Sequence, residues 1–222
     1  MPDLEQLRRN NPKIQIFSVQ DPEFHRYGRI LRENTDVFLR AGEQIPMPEA
    51  GAAYRASLPE LEALPETADF QRRHWGGSPA QMGLCWGYNR KMNALEWHTC
   101  NEMNVALTDL VLLLAKREQV TEDLRLDAGA VRGFYVQRGQ AVEIYADTLH
   151  FTPCQVRPAG FACLVSLAKG TNLPLTGERT GALWCVNKWL LASEKNTTLV
   201  DRGAVPGILG ENWEIQGIEE RM

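Results

Sequence analysis

Imidazole nitrogens and carboxylate oxygens can both move protons near neutral pH and hold metal ions, so histidines with nearby acids are the first residues to weigh. The chain has four histidines, His25, His74, His98 and His150. His98 lies in the stretch Asn93–Glu102, N-A-L-E-W-H-T-C-N-E. Alternate residues of a strand share a face, so Glu96 and His98 point the same way and Glu102 returns four residues later. His150 closes the stretch Gly139–His150, G-Q-A-V-E-I-Y-A-D-T-L-H. That reads as a glycine turn, a strand, a tight turn and a histidine opening the next strand. Within it Glu143 interrupts the apolar V-E-I-Y, where an acid is costly to bury without a partner. An exposed-face glutamate and a catalytic acid or base are both open for it.

The elements that must position these residues change character along the chain. Residues 1–78 mix short apolar patches with polar and proline-rich segments. Ile14–Val19 alternates like a strand, I-P-M-P-E-A-G-A-A-Y reads as a loop, and Leu58–Arg73 has helical spacing interrupted by Pro65 and stopped by Gly76 and Gly77. One helix or two fit that stretch equally. From Gln81 onward the sequence is strand after strand: 81–86, 93–98, 103–114, 130–137, 141–145, 151–156, 161–168 and 182–192. Short strands at regular punctuation suggest a sandwich or barrel rather than βαβ units. Val105–Lys116 is leucine-rich and fits a helix on periodicity alone. Residues 196–222 read as an irregular surface tail.

Composition sets the outer limits. The 222 residues are 44% hydrophobic and 23% charged, an ordinary globular balance that excludes collagen, coiled coil and bulk disorder. Twenty-four basic against 28 acidic residues give a net charge of −4, with no basic block to neutralise a phosphate backbone. Neither a signal-peptide pattern nor an apolar run long enough to span a bilayer is present, so a cytoplasmic protein is expected, with no nucleic-acid or membrane partner. The five cysteines, Cys85, Cys100, Cys154, Cys163 and Cys185, form no C-x-x-C pair and read as reduced thiols.

The two histidine stretches resemble the paired motifs of the cupin superfamily, G-x5-H-x-H-x3/4-E-x6-G and G-x5-P-x-G-x2-H-x3-N. Glu96-x-His98-x3-Glu102 matches the first with glutamate in place of its leading histidine. Gly139-x5-Tyr145-x-Asp147-x2-His150-x3-Cys154 keeps every spacing of the second, with Tyr145, Asp147 and Cys154 replacing proline, glycine and asparagine. The outer glycines of the first motif are absent at Arg90 and Asp109. The match covers roughly residues 81–170. More narrowly, Y-N-R-K-M-N-A-L-E-W-H, V-A-L-T-D-L-V-L-L-L and A-V-E-I-Y-A-D-T-L-H-F-T-P-C are similar to an uncharacterised family of bacterial cupin-like proteins of about this length.

The resemblance implies a mainly β fold, a cupin-type antiparallel double-stranded β-helix (jelly-roll) barrel with peripheral helices. One domain is expected: an N-terminal extension over 1–78, a barrel over 79–195 and the tail. It resolves Val105–Lys116 towards strand. It also implies Glu96, His98, Glu102 and His150 as ligands of a divalent metal such as Mn, Fe, Ni or Zn, Glu96 either ligating directly or holding a ligand histidine. By the same analogy the expected chemistry is isomerisation or epimerisation of a sugar or sugar acid, or a lyase step on such a substrate. The metal would polarise a carbonyl and hydroxyl pair, and Glu143 or Lys91 would carry the proton. The alternatives are a non-catalytic sugar- or effector-binding cupin with a structural metal or none, and a barrel that mainly dimerises. A homodimer is expected, with a small carbohydrate or carboxylate as ligand.

Other residues have plainer readings. Cys154 and Cys163 read as core, and Cys100 as a buried thiol that alternates with His98. His25 reads as a surface loop beside Arg26, Tyr27 and Arg29, and His74 as a polar residue at a helix end. Asn93, Asn187 and Lys188 are polar groups at strand ends, solvated or in contact with substrate.

Overall fold

The computed structural model describes residues 1–219. Eight strands carry the architecture: β1 (Ala80–Gly87), β2 (Ala94–Trp97), β3 (Glu102–Ala106), β4 (Leu110–Lys116), β5 (Arg132–Val136), β6 (Ala141–Ile144), β7 (Thr148–Leu149) and β8 (Phe161–Ala168). One sheet runs β6-β3-β8-β1, all antiparallel, and β8 pairs with β1 over its whole length. The facing sheet runs β5-β4-β7, and β2 joins it through a bridge between Glu96 and His150. Apart from β4 and β5, which are neighbours in one sheet, strands consecutive in sequence alternate between the two facing sheets, which is the jelly-roll winding of a cupin-type barrel.

The leucine-rich run shows why its composition misleads. It divides at Leu107–Asp109 into β3 and β4, which lie in the two facing sheets, where one continuous strand over 103–114 was expected. In β4, Leu110, Leu112 and Leu114 face the core between the sheets with Phe134, Val142 and Ile144. Val111, Leu113 and Ala115 face a second core with Leu4, Leu7, Ile215 and Ile218. A strand covered on both faces loses the apolar–polar alternation that marks half-buried strands. The outer face of the other sheet is covered likewise. Helices Asp36–Gly42, Pro59–Glu62 and Pro65–Trp75 lay Phe38, Leu61 and Phe70 on Met82, Leu84, Trp86 and Val105. Pro65 does split the helical stretch in two, and Gly76, at φ +56°, ends it in the left-handed region.

Several boundaries depart from expectation. Ile16–Ser18 adds a parallel strand beside β5, and Gly28–Leu31 adds an unexpected one beside β6. The end of the expected proline-rich loop, Ala52–Arg55, pairs with β1; Gly83 permits that approach, since a Cβ there would lie 2.0 Å from the Arg55 carbonyl oxygen. The stretch 151–156 supplies only Cys154–Gln155, and 182–192 is a hairpin of Leu183–Cys185 with Lys188–Ser193. The described part of the tail is not irregular. Val205–Leu209 pairs in parallel with Lys188–Ser193, and Ile215 and Ile218 are buried; residues 220–222 lie outside the described residues. Among the described residues no helix is long and apolar enough to cross a membrane.

Candidate metal centre

Backbone pairing sets the first two side chains side by side. Glu96 N–H donates to the His150 carbonyl at 2.7 Å and His150 N–H returns to Glu96 at 3.0 Å. Directly opposed residues on neighbouring strands project to one face a few ångströms apart. His98 lies two residues beyond Glu96 on the same side, and Glu102 opens β3 in the facing sheet. The hairpin strand Lys188–Ser193 runs along β2 with Leu190 opposite Glu96, so Lys188 returns to the Glu96 face.

The four expected metal-site residues converge. His98 Nε2 lies 3.7 Å from Glu96 Oε1 and 3.6 Å from Glu102 Oε2, and His150 Nε2 lies 3.3 Å from the same Glu102 oxygen. The two imidazole rings are 5.3 Å apart, and ligand atoms of Glu96, His98 and His150 all fall within 4.8 Å of one another. All four residues are buried. Each histidine is oriented from behind: His98 Nδ1 donates to the Asn187 carbonyl at 2.6 Å, and His150 Nδ1 to the Thr148 carbonyl at 3.0 Å. A carbonyl can only accept, so each Nδ1 carries a hydrogen and each Nε2 is directed at the acids. Asn104 Nδ2 holds Glu102 Oε1 at 2.8 Å.

Charge explains the protonation pattern. Burial pushes the Glu96 carboxyl up, but the Lys188 ammonium and the two imidazoles outweigh it and hold it at about 2. Burial likewise raises Glu102, and His150 above all brings it below the usual carboxylate range. Burial would lower His150; the Glu102 charge and hydrogen bond reverse that and raise it to about 9. Lys188 Nζ is ion-paired to Glu96 Oε2.

A cavity of about 140 Å³ opens on this cluster, lined by Glu96, Glu102 and His150 together with Lys188, Asn104 and Tyr54. The Tyr54 hydroxyl accepts from Asn172 Nδ2 at 3.0 Å. Cys85 and Cys163, opposed across β1 and β8, also line it. Burial, then the charges of Glu102 and Glu96, pushes the Cys85 thiol up to about 12, and Cys163 lies well above its usual value too, so neither presents a thiolate.

The two residues expected to carry a proton are elsewhere. Glu143 alternates with Val142 and Ile144, which face the barrel interior, and pairs with Met103, which faces the helices. It is buried on the outer face, ion-paired to Arg29 and hydrogen-bonded by Asn101 Nδ2 at 2.6 Å. Lys91 is exposed and sits 3.7 Å from Glu214. Of the strand-end polar residues, Lys188 and the Asn187 carbonyl join the centre, while Asn93 binds Asn89, Asn196 and Asn212. Cys100 is half-buried and accepts from Asn187 Nδ2; all five cysteines are free. His25 is exposed and His74 pairs with Glu33, both outside the centre.

The donor set fits a metal. His98 Nε2 is fully buried with no hydrogen-bond partner, flanked by two carboxylates, and an imidazole nitrogen left in that state is costly. Two nitrogens and carboxylate oxygens suit a divalent first-row ion.

Comparison with known proteins places the chain at family level. Residues 16–213 match the family described as "Domain of unknown function (DUF4867)". The chain belongs to that family. No curated protein matches the DUF4867 chain. Among solved structures it is similar to oxalate decarboxylase in a study of a structural element modulating proton-coupled electron transfer: 14% identity, TM-score 0.35, covering 58% of this chain and 29% of that one. A study of the Mn(II) centres of the Bacillus subtilis enzyme gives 14% identity, a TM-score of 0.33, and coverage of 57% and 28%. The chain thus spans less than a third of the length of those proteins. Likeness of that size carries no inference about activity.

Proposed function

We propose that this chain is a metal-dependent enzyme acting on a small polar substrate, by isomerisation or epimerisation of a sugar or sugar acid. The observation that supports it most is the unpartnered, buried His98 Nε2 facing Glu96 and Glu102. Glu96, His98, Glu102 and His150 would hold the cation, and it would supply Lewis-acid polarisation of a substrate carbonyl and hydroxyl pair.

The chain's own residues do the rest. The Asn187 and Thr148 carbonyls fix both imidazoles with Nε2 inward. Phe151, Pro153 and Val165 form an apolar wall of the cavity, and low polarity beside a charge strengthens its interactions. Proton handling falls to groups lining the cavity rather than to Lys91 or Glu143. The test has two stages. Metal analysis of the purified protein should give one divalent ion per chain, lost in His98→Ala and His150→Ala variants that still fold. The loaded protein should then exchange a substrate α-proton in deuterated buffer with one member of a panel of aldoses, ketoses and uronates. Metal bound without exchange on any member would leave the non-catalytic binding reading in its place.

A further inference from the structure

Lys188 is the one cationic lysine or arginine among the described residues that line the cavity, and Glu96 is the only acid it meets. Its ammonium is half enclosed by the same wall, 5.5 Å from the Phe151 ring. In the metal-free chain the Glu96–Lys188 pair is internally neutral. A divalent ion held by Glu96, His98, Glu102 and His150 changes that balance. An imidazole that ligates through Nε2 carries no proton there, so both histidines are then neutral. Two carboxylates, one ammonium and a dication leave the centre with a net charge of +1, in an apolar enclosure where uncompensated charge is costly.

We propose that the metal-loaded cavity selects a small monoanionic carboxylate, and that Lys188, drawn from its partnership with Glu96 when that carboxylate serves the ion, anchors the carboxylate group. This rests on the metal-centre reading above and narrows its substrate class: a sugar acid or short hydroxy acid fits, a neutral sugar does not. Size agrees. The cavity of about 140 Å³ admits a carboxylate with its adjacent oxygen-bearing carbon. Binding is ordered, because before the ion arrives the ammonium is occupied by Glu96.

Glycolate and its neutral isostere glycolamide are the probes, titrated calorimetrically into the Zn(II)-loaded and the metal-stripped full-length chain. The loaded protein should bind glycolate at least about tenfold tighter than glycolamide, and the stripped protein should show no such preference. Lys188→Met should keep its metal and lose about tenfold to a hundredfold in glycolate affinity, the range expected when a charged hydrogen-bond donor is removed, while Lys188→Arg should retain the preference. Equal affinity for the two probes overturns the proposal, as does glycolate binding unchanged in a metal-loaded Lys188→Met or equally tight without metal. Should Lys188→Met not fold, the probe ratio in the native and Lys188→Arg proteins decides. Failure to bind metal at all, read separately by chelator competition, sinks the centre itself; metal bound with no anion preference sinks only this inference.

Discussion

Replacing Glu102 by Gln tests the centre with little change of shape. Glu102 Oε2 is the oxygen both imidazoles approach, at 3.3 and 3.6 Å, while its Oε1 accepts from Asn104, a bond a glutamine carbonyl can keep. What changes is one negative charge. At about 4 Å and an effective dielectric near 20, a unit charge pair is worth about 4 kcal/mol and a dication doubles that, so removing the charge should weaken metal binding by at least about a thousandfold. Thermal unfolding reads this directly. At a metal concentration a hundred times its Kd, the native protein gains about 2.7 kcal/mol. For a domain of this size that raises Tm by about 5–11 °C over the EDTA-treated protein. At the same concentration the Glu102→Gln variant sits far below its new Kd and should gain less than about 1 °C. Each protein is compared with its own stripped form, so any loss from the missing His150 partner cancels. A folded Glu102→Gln protein with the native metal-induced shift would refute the site as built here.

Two further predictions come from the groups behind the ligands. Asn187 holds φ at +54°, and its Oδ1 accepts from Thr99 N and Oγ1 at 2.9 and 2.6 Å, which together aim its carbonyl at His98. Asn187→Ala should weaken metal binding about tenfold to a hundredfold, with the fold retained, measured by competition with a chromophoric chelator; native affinity in the variant would show that the Asn187 side chain is not what aims the carbonyl at His98. The second concerns pH. His150 is raised from 6.5 to about 9, so its contribution to the metal-free protein is complete below pH 6.5 and lost as pH rises through about 9. Glu96 is lowered from 4.5 to about 2, so its contribution holds above pH 4.5 and is lost only on strong acidification. The Tm of stripped protein should therefore fall between pH 6.5 and 9.5, and excess metal should flatten that fall because the ion replaces the His150 proton. A stripped protein equally stable at both ends would contradict the His150–Glu102 coupling.

The convergence of Glu96, His98, Glu102 and His150 was legible because its information is local. Alternation places Glu96 and His98 on one face, and the motif spacings fix where Glu102 and His150 fall relative to the turns around them. The misplaced proton carriers show where local information ends. A period of two says which residues share a face, not which face is interior. Glu143 shares its face with Ala141, and only the pairing of β6 with β3, Glu143 opposite Met103, turns that face towards the helices and Arg29. Lys188 was visible as a polar residue at a strand end, yet its partner was not, since Glu96 lies some ninety positions earlier and meets it only through the antiparallel register of Leu190 with Glu96. The C-terminal segment was unreadable for a related reason. Its glycines and prolines suggested a surface tail, but Ile215 and Ile218 fill the core behind β4, which β4 needs because its second face is apolar as well. The same leucine run that blurred strand with helix therefore already implied a missing cover. That cover, with the hairpin it pairs to, is also what carries Lys188 and the Asn187 carbonyl to the centre. The stretch 182–192, expected as one strand, is thus a hairpin backed by the tail, and it supplies both the charge that balances Glu96 and the acceptor that orients His98.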